Sequence, residues 1–339
     1  MNFTLNIEEP DQLLAYLHRH NHIAAAEEVT ITPLAGGVSN RTVLVERANG
    51  EAWVIKQALE KLRVAVDWFS SPQRIHREAD GMRAFADLLP PGSVPRLIFE
   101  DHDAHLLAMQ AVPQPHANWK TMLLAGELDR DHIQQFGRML GAMHGHSFQK
   151  KDELAPLFGD RSFFETLRLE PYYLYTASKH DTALDFYTKL VDETRAQSLT
   201  LVHGDYSPKN VLVHRGRLVL LDHEVIHWGD PCFDLGFSFT HLLSKAHHVA
   251  EYRAPFIDAA LHYWQIYVDT AADLATLDGF EPRAVRHTLA CLLARVDGRS
   301  PLEYLTPTEK ERQRHTVLAL MTDPPTTLPD LIHAFHQGL

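Results

Sequence analysis

The stretch Leu201-Val-His203-Gly-Asp205-Tyr-Ser-Pro-Lys209-Asn210-Val-Leu-Val213 continues through His214-Arg-Gly-Arg217 into Leu218-Val-Leu-Leu-Asp222-His-Glu224. Two apolar runs, residues 211–213 and 218–221, flank a short polar segment containing a glycine, a pattern that predicts a β-hairpin. Antiparallel pairing about that turn brings Asn210 opposite Leu221 or Asp222. Asp205 stands five residues upstream of Asn210 on the preceding loop. Asp222 and Glu224 are two residues apart in what reads as extended chain, so their side chains are expected on the same side.

An amide and two or three carboxylates gathered in this way are the groups that phosphoryl transfer needs. One carboxylate accepts a hydroxyl proton and aims the oxygen, and an Asn with an Asp holds magnesium across the phosphates. Asp205 is the candidate catalytic base. Asn210 and Asp222 are the candidate metal ligands, and Glu224 is a candidate for a second magnesium.

The pattern His203-Gly-Asp205-x-x-x-x-Asn210, followed by Asp222-x-Glu224 and Gly229-Asp-Pro-x-x-Asp234-Leu, resembles the signature of aminoglycoside phosphotransferases, choline kinases and methylthioribose kinases. The resemblance implies an α+β, two-lobed protein-kinase-like fold, with an N-terminal antiparallel sheet plus helix and a mainly helical C-terminal lobe. It also implies ATP with Mg2+ as cofactors and a small-molecule hydroxyl as acceptor. Asp234 is expected to cap the helix that follows it or to hold the catalytic loop. His203 is expected to be a packed structural residue, and Lys209 either a phosphate contact or a solvated loop lysine.

Upstream, strand-like runs at 30–34, 42–46 and 52–57 are broken by Gly36-Gly37 and by Asn49-Gly50, the latter a hairpin signal. A helix is expected over 73–89, with Ile75, Ala79, Met82 and Phe85 at helical spacing, and two further strands near 96–100 and 106–111. Gly36, Gly37 and Ser39 lie between the first two strands, where glycines let a backbone approach phosphates and Ser39 can donate to them. Lys56 sits inside the apolar run Val54-Ile-Lys56, where an unpaired charge is costly, and Glu78 on the expected helix is its candidate partner. The plainer alternative is a sheet-edge lysine facing Glu46 or water. From the resemblance, Met109, Gln110 and Val112 belong to the link that reads adenine. Pro113 and Pro115 mark a boundary between a nucleotide lobe at 1–112 and a catalytic and substrate lobe at 113–339.

Closer similarity to methylthioribose kinases lies in Lys56-Gln-Ala-Leu-x-x-Leu-Arg63-Val, in Trp68, and in Arg74-Ile-x-Arg77-Glu78-Ala. Leu169-Glu-Pro-Tyr172-Tyr173 adds to it, whereas Asn210 departs from that subfamily's pattern. Arg295 and Arg299, in a turn rich in donors, and Trp228, with Tyr172 and Tyr173 as an apolar wall, are candidates for the acceptor pocket.

Bulk properties narrow the classes. The chain has 339 residues with a net charge of −12, which argues against a nucleic-acid partner. Two cysteines, Cys232 and Cys291, stand outside any paired motif, so neither a disulfide framework nor a Cys-ligated metal is expected. No apolar run approaches the roughly 20 residues of a membrane span. With no secretory pattern at the start, a cytoplasmic enzyme is expected. The reading is an ATP-dependent kinase of a sugar-like or amino-alcohol metabolite. An aminoglycoside resistance kinase and a non-catalytic ATP-binding regulator are its alternatives.

Overall fold

The computed structural model describes residues 5–34, 38–63 and 68–339. Gly36 and Gly37, expected over the phosphates, lie outside the described residues. The chain divides into two compact units, Met1–His116 with Leu221–Glu224, and Ala117–Leu220 with Val225–Leu339.

The N-terminal unit holds α1 (Pro10–Arg19), β1 (Val29–Pro33), β2 (Asn40–Arg47), β3 (Ala52–Ala58), α2 (Arg74–Leu88), β4 (Leu97–Asp101) and β5 (Leu106–Gln110). Its strands form one antiparallel sheet in the order β1-β2-β3-β5-β4. Side chains alternate across such a sheet, and the sequence assigns each face a helix. Trp53 and Ile55 of β3 join Val43, Val45, Leu106 and Ala108 against Leu13 and Leu17 of α1. The opposite face carries Val54 with Leu107 and Met109, packed on Ile75, Ala79 and Met82 of α2. Lys56 has the parity of Val54, so its side chain falls on the α2 face, and Glu78 is one helical turn beyond Ile75. Asn49-Gly50 makes the β2–β3 turn, with Gly50 at φ 86°.

The short strand β6 (His116–Asn118) leads into the C-terminal part. There the helices are α3 (Trp119–Leu124), α4 (Arg130–Gln149), α5 (Lys151–Phe158), the short α6 (Ser162–Phe164) and α7 (Tyr175–Ala177), and α8 (Leu184–Ala196). After the β strands follow α9 (Cys232–His248), α10 (Arg253–Ala271), α11 (Phe280–Asp297), α12 (Pro307–Thr322) and α13 (Leu328–Gln337). A π-helical stretch, Glu165–Leu174, joins α6 to α7.

Helix α9 is buried from Cys232 through His247 on all sides, as expected for a helix with apolar residues around its whole circumference. Gly137, Gly141 and Gly145 give α4 a side-chain-free ridge. A Cβ at Gly141 would stand 2.7 Å from Thr270 and one at Gly137 3.0 Å from Ile266, so the close approach of α4 and α10 at these two positions depends on glycine. This central packing supports four short strands: β7 (Thr200–Val202), β8 (Val211–His214), β9 (Arg217–Leu220) and β10 (His227–Gly229). The hairpin is present, with Val211 opposite Leu220 and His214 opposite Arg217. β7 pairs with β10, Val202 opposite His227.

Candidate functional site

Each unit contributes one constellation of charged residues. In the N-terminal unit, Lys56 Nζ donates to Glu78 Oε1 at 2.6 Å and to Asp222 Oδ1 at 3.1 Å. The expected Lys56–Glu78 pair is present, and Glu46 is not the partner. Burial pushes the Glu78 carboxyl up to about 7, against the opposing pull of Lys56. Burial also works against the Lys56 charge, but the Asp222 and Glu78 carboxylates outweigh it and raise the ammonium above its ordinary value. Lys56 is therefore a fixed cation across the physiological range.

Residues 221–224 differ from the expected extended run. Asp222 adopts φ 68°, in the left-handed region, which breaks the alternation. A non-glycine residue held there costs on the order of 1–3 kcal/mol. Asp222 makes its direct ion pair with Lys56 and Glu224 with Arg74, while both carboxylates favour the Lys56 charge. Glu224 Oε2 accepts from Arg74 Nε at 3.1 Å and from Asn40 Nδ2 at 3.4 Å. The side chain expected at a second magnesium is thus tied to a buried arginine.

Arg74 itself is fully buried. Its guanidinium also donates to the carbonyls of Ser70 at 3.1 Å, Ser71 at 3.0 Å and Leu59 at 2.8 Å, and to that of Ser39. Ser39 Oγ accepts from Asn40 Nδ2 at 3.1 Å. Met109, expected to line the adenine pocket, packs in the α2-face core with 3% exposure. The Gln110 and Ala111 amides donate to Arg96 and Ala52 carbonyls at 2.8 Å each, and the Val112 carbonyl lies 3.0 Å from His116 Nδ1.

In the C-terminal unit the loop between β7 and β8 carries Asp205. Gly204 at φ 77° makes the turn, and a Cβ there would come within 2.9 Å of Val225. Asp234, third residue of α9, fixes this turn: its Oδ2 accepts from His203 N at 2.7 Å and its Oδ1 from Gly204 N at 2.8 Å. His144 Nε2 lies 3.3 Å from the same carboxylate, and its Nδ1 is 2.9 Å from Tyr267 Oη. Of the two roles expected for Asp234, loop support is the one present, while Asp230 accepts from the Cys232 amide at the helix start. His203 is packed, its Nδ1 accepting from Asp205 N at 3.1 Å.

Replacing Asp234 by Ala removes two charge-assisted bonds worth at least about 1.5 kcal/mol each. A loss of about 3 kcal/mol or more in denaturant unfolding is expected, with Asp234→Asn milder. An unchanged midpoint in the Ala variant would show that the loop holds itself.

Asp205 is 3% exposed, and its orientation is tightly defined. Its Oδ2 accepts from Asn210 Nδ2 at 2.8 Å and lies 3.2 Å from Arg168 Nη2 and 3.1 Å from Lys209 Nζ. Asn210 Nδ2 also bonds the Asp205 carbonyl at 2.9 Å. Asp205 and Asn210 therefore meet as expected, and Lys209 touches the aspartate. Arg168 was missing from the expected set. It lies in the π-helical stretch, with Nε bonded to the Gly204 carbonyl at 2.6 Å and Nη1 to Leu167 O at 2.8 Å. A cation between Leu167 and Leu169 was its sequence signal, since a charge in an apolar run requires a partner.

Of the expected acceptor residues, Arg295 and Tyr172 meet. Trp228 is 1% exposed in β10, where its ring is part of the core. Tyr173 is likewise buried, bonded to His287 Nδ1 at 2.7 Å. Arg295 is the last-turn residue of α11 and donates to Tyr172 Oη at 3.1 Å, whereas Arg299 pairs outward with Glu170 at 2.9 Å.

Comparison with known proteins agrees with this architecture. Residues 30–280 match the model of a phosphotransferase enzyme family. Methylthioribose kinases of Pectobacterium atrosepticum and Pectobacterium carotovorum are 25% and 26% identical over 69% and 65% of this chain. The chain spans 64% and 60% of the length of these curated relatives. Among solved structures, an amicoumacin kinase bound to AMP-PNP, Ca2+ and Ami superposes with a TM-score of 0.57 at 16% identity, covering 91% of each chain. A choline/ethanolamine kinase family protein from Mesorhizobium loti gives 0.53 at 14%, covering 96% of this chain and 99% of its own. The fold is therefore the two-lobed, protein-kinase-like one of these kinases. Among the described residues, no helix is long and apolar enough to cross a membrane.

Proposed function

This chain belongs to the phosphotransferase enzyme family, and from that premise we propose that it transfers the γ-phosphate of ATP to a hydroxyl of a small metabolite. The observation that carries the proposal is the buried Asp205 carboxylate, held at Oδ2 by Asn210 and flanked by Arg168 and Lys209. A carboxylate fixed in this way can receive the acceptor proton as the hydroxyl oxygen bonds to the γ-phosphorus and the bond to ADP breaks. No phosphorylated enzyme is required.

Lys56, kept charged by Glu78 and Asp222, is assigned to the phosphates. Asn210 and Asp222 precede and follow the β8–β9 hairpin and carry the oxygen donors that magnesium prefers. Magnesium bound there would neutralise charge on the transferring group. Glu224 is left to Arg74. The link at 109–112 is assigned to the adenine. A sugar-like acceptor is supported by the two relatives, and localisation in the cytoplasm accords with an ATP-consuming metabolic enzyme.

Incubation of the whole chain with ATP and Mg2+ against thioribose, pentoses, amino alcohols and aminoglycosides, followed by phosphorus NMR, should yield a phosphate monoester with at least one acceptor. Nucleotide binding without a product across such a panel would replace this reading with that of an ATP-binding regulator.

A further inference from the structure

The C-terminal unit buries a second group of basic side chains, apart from those on Asp205. Lys245 of α9 is fully buried, and its Nζ donates to the His241 carbonyl at 3.3 Å. It forms no ion pair with a carboxylate among the described residues. Two ammonium groups lie over the Tyr304 ring, Lys245 Nζ at 5.5 Å and Lys120 Nζ at 5.9 Å from its centre. Arg295 is 7% exposed. Neither ring nitrogen of His241 has a hydrogen-bond partner, nor do Arg295 Nε and Tyr304 Oη. Glu303, paired with Lys120, is the carboxylate of the group.

We propose that this cluster of Lys120, His241, Lys245, Arg295 and Tyr304 receives the anionic group of the acceptor, so that the substrate is a hydroxylated small molecule carrying a carboxylate or a phosphate. The inference rests on Asp205 as the centre of transfer. Two chains of contact join the cluster to that residue. Tyr172 lies under both Arg295, at 5.7 Å, and Arg168, at 5.8 Å, and Arg168 reaches Asp205. Lys209, also on Asp205, accepts at its carbonyl from Asn118 Nδ2 at 2.8 Å, and Asn118 Oδ1 accepts from Lys120 N at 3.1 Å.

The electrostatics point the same way. Burial pushes Lys245 down to about 7, Lys120 and Arg295 push it further, and Glu303 opposes them. Burial and Lys245 hold His241 well below its ordinary value. Desolvated donors without acceptors are costly, and an anion supplies the missing acceptors and countercharge together. The same cluster repels a quaternary ammonium or a polyamine, which argues against choline and aminoglycosides as acceptors.

Calorimetric titration of the full chain with ribose, ribonate and ribose 5-phosphate tests the inference and separates carboxylate from phosphate. At least one of the two anions should bind at least about tenfold more tightly than ribose. Lys245→Met, which preserves the apolar stem, should abolish that difference, while Lys151→Met on exposed α5 should not. Equal binding of all three, no binding of either anion at millimolar concentration, or an unaltered preference in a folded Lys245→Met variant overturns it. The wild-type series decides even if that variant misfolds. Turnover measured in parallel distinguishes the two readings. Anion binding without phosphorylated product leaves the cluster's role standing and removes the kinase assignment. Product from neutral or cationic acceptors alone does the reverse.

Discussion

Asp205→Asn is expected to lower turnover by about 10²–10⁴-fold, the usual contribution of a positioned general base, while leaving nucleotide affinity unchanged. The substitution keeps the side-chain shape and removes the proton acceptor. Arg168 loses its ion pair at 3.2 Å but retains its bonds to the Gly204 and Leu167 carbonyls at 2.6 and 2.8 Å, so the loop has independent support. Lys56, assigned to the phosphates, lies in the other unit and is held by Glu78 and Asp222. Single-turnover kinetics combined with ATP calorimetry separates the two effects. A variant that retains near-native turnover removes Asp205 from the chemistry, and one that loses ATP affinity in parallel marks it as a binding residue instead.

The second large effect concerns stability. Arg74→Met should destabilise the N-terminal unit by about 3–5 kcal/mol, the cost of leaving one member of a buried ion pair unpaired. The Glu224 carboxylate would remain 7% exposed with only Asn40, at 3.4 Å, to replace the guanidinium. Carbonyls at Leu59, Ser70 and Ser71 would also lose their donors. Glu224→Gln keeps a hydrogen-bond acceptor and should cost less. Denaturant unfolding followed by amide hydrogen exchange over β2, β3 and α2 measures the difference in the N-terminal unit. Losses below about 1 kcal/mol in both variants would place Arg74 among ordinary surface pairs.

The elements visible in the sequence were those with a local physical signature. Parity along Val54-Ile-Lys56 and helical spacing from Ile75 to Met82 were enough to bring Lys56 to Glu78, since a buried charge needs a partner and one lay on the facing stripe. The β8–β9 hairpin followed from two apolar runs around a glycine. What escaped detection depends on residues far apart in the chain. Arg74 was noted within a motif, but its carboxylate is 150 residues away. Arg168 was hidden in a π-helical stretch that no apolar period describes. The left-handed turn at Asp222 has no glycine to announce it, so the extended backbone expected there is broken. Trp228, Tyr172 and Tyr173, expected in the acceptor wall, are buried.

The chain enters the N-terminal unit a second time, for only four residues, Leu221–Glu224. That brief return supplies the second carboxylate on Lys56 and the carboxylate on Arg74. A fragment ending at His116 would keep every strand of the five-stranded sheet yet leave Lys56 with Glu78 alone and enclose Arg74 without its countercharge. The linear boundary after β5 is thus a poor place to divide the molecule, and any dissection or domain exchange has to carry this tetrapeptide along with the sheet it completes.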